Sequence, residues 1–369
     1  MSAVDSVVIV GGGISGLALA IGLARANIRV QVLERSTDGN VLGIGMALQA
    51  PALRALDALG ILEQCQATAF AHEVSTQFAL DGTVIGSQRM PLPGQLGIQR
   101  KAFHRLLLNE AHRVGVTVRF GTSVVSATQT ESTVTLVLAD KERVECDLVV
   151  GADGAHSAMR KTLLDSDLVP EFTGQATWRI GVPRPPEVLG MCTVVGGPLS
   201  VGINPVTESE AYIFVVQNVA EQSHISQTEL LRRLPRLLRD YGGLIRDLVT
   251  TVTDPDAIVY RPLESLMMPT PWYRGRAVLI GDAAHTTTPH MAAGALIAIQ
   301  DAVALVDELV RNTSSETALQ AFMARRYQRC KLLVEACRQV GEWQKAGRVR
   351  TPEAGRLQAE VMAALASPL

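Results

Sequence analysis

Several residues in this 369-residue chain have the types and spacing of working chemistry. Gly11, Gly13 and Gly16, with Ile14 and Ser15 among them, stand where an apolar run gives way to a helical one. Gly11 allows a tight turn, Gly13 leaves the backbone bare for a pyrophosphate, and Gly16 lets helix and strand pack closely. The helix N-terminus adds unpaired N–H groups and the positive end of a dipole. Glu34 lies eighteen residues beyond Gly16. A carboxylate there accepts ribose hydroxyls and repels a 2′-phosphate, which favours FAD or NAD over NADP. Asp153 (in Gly151-Ala152-Asp153-Gly154) and Asp282 (in Gly281-Asp282-Ala283-Ala284-His285) each follow an apolar run and a glycine. An acid just outside the carboxyl end of a parallel strand is where open α/β sheets meet their ligands. His290, after Pro289, is an imidazole suited to taking a phenol or ring N–H proton near neutral pH, or else a supporting surface residue. Tyr212 starts the alternating run Tyr212-Ile213-Phe214-Val215-Val216-Gln217, so Tyr212, Phe214 and Val216 share a face. Tyr212 then either contacts an aromatic ligand or fills a core.

Specific elements must hold these groups. Val7–Val10 reads as a strand covered on both faces, the 17–24 run as a helix stopped at Asn27, and Ile28–Leu33 as a second strand. Leu148–Val150 and Ala277–Ile280 repeat the buried-strand pattern. Val74–Gln88 reads as strand, Asp81-Gly82 turn, strand. The 174–274 stretch holds short strands (176–182, 199–203, 211–216) and a helix over 227–241 that Pro235 should kink. Glu316–Lys345 reads as one long helix, with Leu319, Phe322, Met323 and Tyr327 as core. His104 and His112 fall on one helix and are expected to be solvated.

Composition bounds the function. The chain is 47% hydrophobic and 19% charged, with net charge −2, so it can bury a core and offers no basic surface for nucleic acid. No run is apolar and long enough for a membrane span, and no secretory leader pattern is present. Five scattered cysteines without a CxxC pair fit reduced thiols and a cytoplasmic location. Cys330 and Cys337 are expected to be core. His72, His156 and His224 lack metal-ligand spacing, so no metal is expected.

The three glycine-acid stretches, in this order, closely resemble the single-component (class A) flavoprotein aromatic hydroxylases of the p-hydroxybenzoate hydroxylase fold, from Val7 to about Arg338. The resemblance implies an α/β architecture: a Rossmann-like FAD-binding domain (1–73, 98–173 and 275–369), an inserted mixed-sheet substrate domain (74–97 and 174–274) and a long C-terminal helix. It implies that Gly11, Gly13 and Gly16 cradle the FAD pyrophosphate. Glu34 would hold the adenosine ribose beside Arg35, Arg100 would reach the flavin, and Val124 would lie near the adenine. Gly281 and Asp282 would bind ribityl or ribose hydroxyls; Asp153 would be mainly structural in FAD binding, and its segment would also take part in binding the reduced pyridine nucleotide. Pro289, Gly294, Ala295 and Leu296 would pass the isoalloxazine ring, and His285 would be structural. Many members have GQG where this chain has Ala292-Ala293-Gly294.

The implied activity is hydroxylation of an aromatic or N-heterocyclic small molecule by O₂ through a flavin C4a-hydroperoxide, with NADH or NADPH binding transiently. Gly174–Arg179 and the Thr-Pro-His run resemble members acting on salicylate-like, quinolone or other N-heterocyclic substrates. No arginine for a substrate carboxylate stands out over Leu199–Gln217. Alternatives are a flavin oxidase or reductase without oxygen transfer, a non-catalytic flavin-binding protein, and an NAD-dependent dehydrogenase. Monomer and homodimer both remain open.

Overall fold

A computed structural model describes residues 2–39, 43–90, 94–348 and 351–368. Ser6–Val10 is a central strand because Val7, Val8, Ile9 and Val10 are apolar in sequence and each is buried. It pairs in parallel with Arg29–Leu33 on one side and Leu148–Gly151 on the other. Thr117–Arg119 and Ala277–Leu279 extend the sheet in parallel, and Tyr273–Arg274 closes one edge antiparallel. The carboxyl ends of the two strands beside Ser6–Val10 and of Ala277–Leu279 therefore carry Glu34, Asp153 and Asp282 to one rim of one sheet.

The helix Ile14–Arg25 is buried almost throughout, from Ser15 to Leu23, between the sheet and the helix Gly294–Arg311. Full burial of each leucine or isoleucine along it contributes roughly 1.5–3 kcal/mol, so this contact anchors the first glycine turn. Asn27 takes φ +61 just beyond the helix end, the left-handed conformation that makes it a stop.

A second sheet of seven strands runs in the order Ile258–Ser265, Glu171–Pro183, Glu210–Asn218, Ser200–Pro205, Met191–Val194, Val74–Phe78, Val84–Arg89. Its two faces differ in kind. Trp178, Ile180, Ile213 and Val215 pack against Leu230, Leu234 and Ile245 of the helices Gln227–Leu237 and Gly243–Thr250. Strand alternation sends Gln175, Thr177 and Arg179, with Tyr212, Phe214 and Val216, to the other face. There Thr177 lies opposite Val216, and Arg179 opposite Phe214.

Two expectations need adjusting. The helix over 227–241 ends at Leu237, with Pro235 in its last turn and Tyr241 outside it. Position 97 is no break: Gln95–Gln99 is one strand, paired with Gly45–Leu48 and Phe70–His72 rather than with the seven-stranded sheet. The long helix runs Ser315–Lys345, capped by the Ser314 hydroxyl, and Cys330 and Cys337 are both buried on it. No helix among the described residues is long and apolar enough to cross a membrane.

Candidate cofactor and substrate site

The three glycine-acid stretches meet. Gly11 adopts φ +115 and lies so close to the Ala152 carbonyl that no side chain fits there. A methyl group on Gly281, itself at φ +59, would come within 2.8 Å of Ser15 Oγ. A side chain at Gly16 would strike the Gly11 carbonyl. Gly13 is the exception: a methyl there would meet nothing within 4 Å. Gly11, Gly16 and Gly281 are thus required by packing, while Gly13 borders open space, as a backbone that must admit phosphates requires.

Helices that begin at this rim without a side-chain cap include Ile14–Arg25, after Gly13, and Gly294–Arg311, after Ala293 and opening on Gly294, Ala295 and Leu296. Their first N–H groups and positive dipole ends suit the anionic parts of a dinucleotide. Gly12 N–H donates to Glu34 Oε2 at 2.7 Å, and Ser36 N–H to Oε1 at 2.7 Å, so the carboxylate is already oriented beside the glycine turn. Thr122 N–H donates to the Glu34 carbonyl, which brings the segment leading into Val124 alongside. Val124 is half-buried and Arg35 is exposed. These features fit the adenosine diphosphate half of FAD.

Asp282 and Arg100 are close enough for each to feel the other's charge. Both keep accessible surface yet lie deep among protein atoms. Burial lifts the Asp282 carboxyl above its usual range, with His285 and Arg100 pulling the other way. Burial likewise lowers Arg100, and Asp282 partly restores it. Asp153 has a different task. Its carboxylate accepts from Ser157 Oγ at 2.5 Å and from Met159 N–H at 3.0 Å, fastening the start of the helix Ala158–Leu164.

Beneath the third stretch lies a fully buried ion network that the sequence reading missed apart from His285. Asp301 Oδ2 accepts from His285 Nε2 at 2.6 Å and from Gly281 N–H at 2.9 Å, and Arg326 Nε donates to Oδ1 at 2.7 Å. Burial works against charge here, but His285 and Arg326 overcome it and hold Asp301 at about 2. Cys330 also stands within 4.8 Å of His285 and Asp301 ligand atoms, but the Arg326 guanidinium already fills the role a cation would take. The signal was one acid, Asp301, inside the otherwise largely apolar run 296–306.

His104 overturns an expectation. It is 5% exposed, and its Nε2 lies 2.7 Å from the Gly12 carbonyl oxygen. A histidine one turn after Arg100 on the helix Arg100–Arg113 faces the glycine turn, not solvent. His112 is exposed as expected.

The substrate-side residues separate into two groups along one sheet face. Tyr212 is 4% exposed and packs on Gly45, where a methyl would come within 2.5 Å of its ring. The Arg179 guanidinium stands 5.5 Å from the centre of that ring and donates to the Gly45 carbonyl at 2.7 Å. Burial raises the Tyr212 phenol above its usual range, and Arg179 opposes it. Arg179 lies outside Leu199–Gln217 but on the same sheet face as Tyr212. At the other end, Thr288 Oγ1–H donates to His290 Nδ1 at 2.7 Å, and His290 Nε2–H donates to Gln344 Oε1 at 3.2 Å. Burial pushes His290 down to about 4, so it is neutral at pH 7. Pro289 opens the turn Pro289–Met291, and Ala292 follows at φ +49, a left-handed conformation that glycine adopts far more readily than alanine.

A nucleotide recess at one sheet rim, faced by a second sheet carrying arginine and tyrosine, defines a flavoprotein with a separate small-molecule side. The chain belongs to the FAD binding domain family, which it matches over residues 5–337. It is 32% identical over 326 residues (86% of this chain, 88% of the relative) to the protein named "Putative FAD-dependent monooxygenase YetM" of Bacillus subtilis (strain 168). It is 31% identical over 358 residues (88% and 86%) to 3-hydroxybenzoate 6-hydroxylase 1 of Aquipseudomonas alcaligenes. The fold is shared with HpxO of Klebsiella pneumoniae, solved with FAD and uric acid, at TM-score 0.86 and 22% identity over 98% of this chain and 97% of that one.

Proposed function

We propose that the chain is an FAD-dependent monooxygenase that hydroxylates an aromatic or heteroaromatic small molecule, with NADH or NADPH as electron donor. In balance, the donor, a proton, O₂ and the aromatic C–H become the oxidised donor, water and the ring hydroxyl. Bound FAD would supply the two-electron reduction and the reaction with O₂. The observation that carries this reading is the convergence of Gly11–Gly16, Asp153 and Gly281–Asp282 on one recess beside the face of Arg179 and Tyr212. Relatives named as hydroxylases of hydroxybenzoate and urate support it.

The chain's own residues would act by placement. Gly13, Glu34, Arg100 and Asp282 would hold the cofactor, and the uncapped N-terminus before Gly294 would face the flavin with N–H donors. Arg179 and Tyr212 would bound the substrate. His290, with both nitrogens engaged and a value near 4, is in this state a hydrogen-bond partner rather than a base. Negative charge developing on a substrate beside it would raise that value, and in that form we assign it the proton-acceptor role.

The test is a screen of aromatic compounds for those that accelerate NAD(P)H oxidation, followed by turnover under ¹⁸O₂. Label in the product is expected. Accelerated oxidation with unlabelled product would replace hydroxylation by an oxidase reading.

A further inference from the structure

A cleft of about 400 Å³ opens between the first residues of the strand Glu171–Pro183 and the end of the long helix. Thr173, Gln175, Ser265, His290, Gly341 and Lys345 are among its walls. It lies on the same sheet face as Arg179, four residues along the strand from it, or roughly 13 Å at strand spacing.

Gln175 is 1% exposed, and its Oε1 has no hydrogen-bond partner, one of few such buried atoms among the described residues. Its Nε2 already faces two acceptors, Asn218 Oδ1 at 3.2 Å and Gln344 Oε1 at 3.5 Å. Leaving such an acceptor unpaired costs about 1–3 kcal/mol, which a donor arriving from outside recovers. Gly341 supplies a second sign. It sits inside the helix Ser315–Lys345, where glycine costs about 1 kcal/mol relative to alanine. A methyl there would come within 2.9 Å of Gln175 Oε1 and 3.2 Å of His290 Cε1. The helix is thus notched where the unpaired acceptor and the histidine of the flavin loop come together. Of the cleft's cations, Lys345 donates to the Thr173 carbonyl at 2.9 Å and stands 2.7 Å from Glu342 Oε1, and Arg338 donates through Nε to Ser265 Oγ at 2.8 Å. What Gln175 itself lacks is a hydrogen-bond donor for Oε1.

We propose that this cleft is a recognition site for the ring N–H or O–H edge of the aromatic substrate, with Gln175 Oε1 as its acceptor and Gly341 as the notch that admits it. The assignment rests on the monooxygenase reading for the identity of the ligand, and its test is independent of turnover. The FAD-loaded protein is titrated with 4(1H)-quinolone and with 2-pyridone, each beside its N-methyl counterpart, by perturbation of the flavin absorbance. The N–H compounds are expected to bind about tenfold tighter than the methylated ones, the equivalent of one recovered hydrogen bond. That preference should fall below about twofold in Gln175→Met and in Gly341→Ala, with FAD content unchanged. A purely packing role for either residue would shift stability and leave the N–H preference intact. Equal binding of N–H and N-methyl compounds by the parent protein, no binding of any of the four, or a preference retained in both variants would overturn the proposal. A preference that is lost in the variants, found together with no ¹⁸O in any product, would remove the monooxygenase reading and leave the cleft standing.

Discussion

His104 Nε2 lies 2.7 Å from the carbonyl oxygen of Gly12, and the N–H of that same glycine donates to Glu34. One residue of the phosphate-binding turn is therefore held from both sides, by a helix and by the end of a neighbouring strand.

His104→Ala should lower FAD affinity about tenfold, because the Gly12 carbonyl loses its buried partner at a cost of about 1–2 kcal/mol. His104→Gln, which can donate to the same oxygen, should recover part of it. Fluorescence titration of apoprotein with FAD measures both. Unchanged affinity in the alanine variant would mean that the turn is held without His104.

Asp282→Ala should be purified mostly without flavin, since the Arg100 side of the recess loses its counter-charge and the cofactor a hydroxyl partner. Absorbance at 450 nm relative to 280 nm reports this directly. A normal ratio would relocate the cofactor contact.

Asp301→Asn should destabilise the fold by about 3–5 kcal/mol, because it leaves Arg326 and His285 buried beside a neutral amide. Urea unfolding of parent and variant gives the difference. A loss below about 1 kcal/mol would show that the network relaxes without strain.

His290 carries a signed pH effect. Its value in the folded protein, about 4, lies below that of the unfolded chain, so the unfolded state binds more protons in between. Its contribution is complete above about pH 6.5 and fades as pH falls toward 4, by on the order of 3 kcal/mol. His290→Asn should therefore unfold with a flatter pH dependence than the parent between pH 7.5 and 4.5. Parallel curves would mean that the imidazole titrates as if exposed.

Ala292→Gly removes a side chain held at φ +49. Relief of left-handed strain, roughly 1–2 kcal/mol, is offset by about 0.4–1 kcal/mol of added freedom in the unfolded chain. A net gain of about 0.5–1 kcal/mol in thermal unfolding is expected, and a loss would show that the methyl group packs usefully.

By itself the amino-acid sequence determined the local parts of this protein. Glycine spacing, apolar runs and the acids that end them specify strand–turn–helix units through short-range rules, so Gly11–Gly16, Glu34 and the Gly281–Asp282 turn were legible from residue types alone. The alternation of Tyr212, Phe214 and Val216 likewise revealed a shared face, though not what it faces. Tertiary structure decided everything that depends on residues far apart in the chain. His104 looked solvated because a polar helix in isolation gives no reason to bury it; the Gly12 carbonyl, ninety-two residues away, supplies the reason. Asp301 and Arg326, Arg179 against Tyr212, and Gln175 against Gly341 became meaningful only when packing excluded water around them. A charge or an amide acquires its energetic weight from its surroundings, and those are set by the fold as a whole.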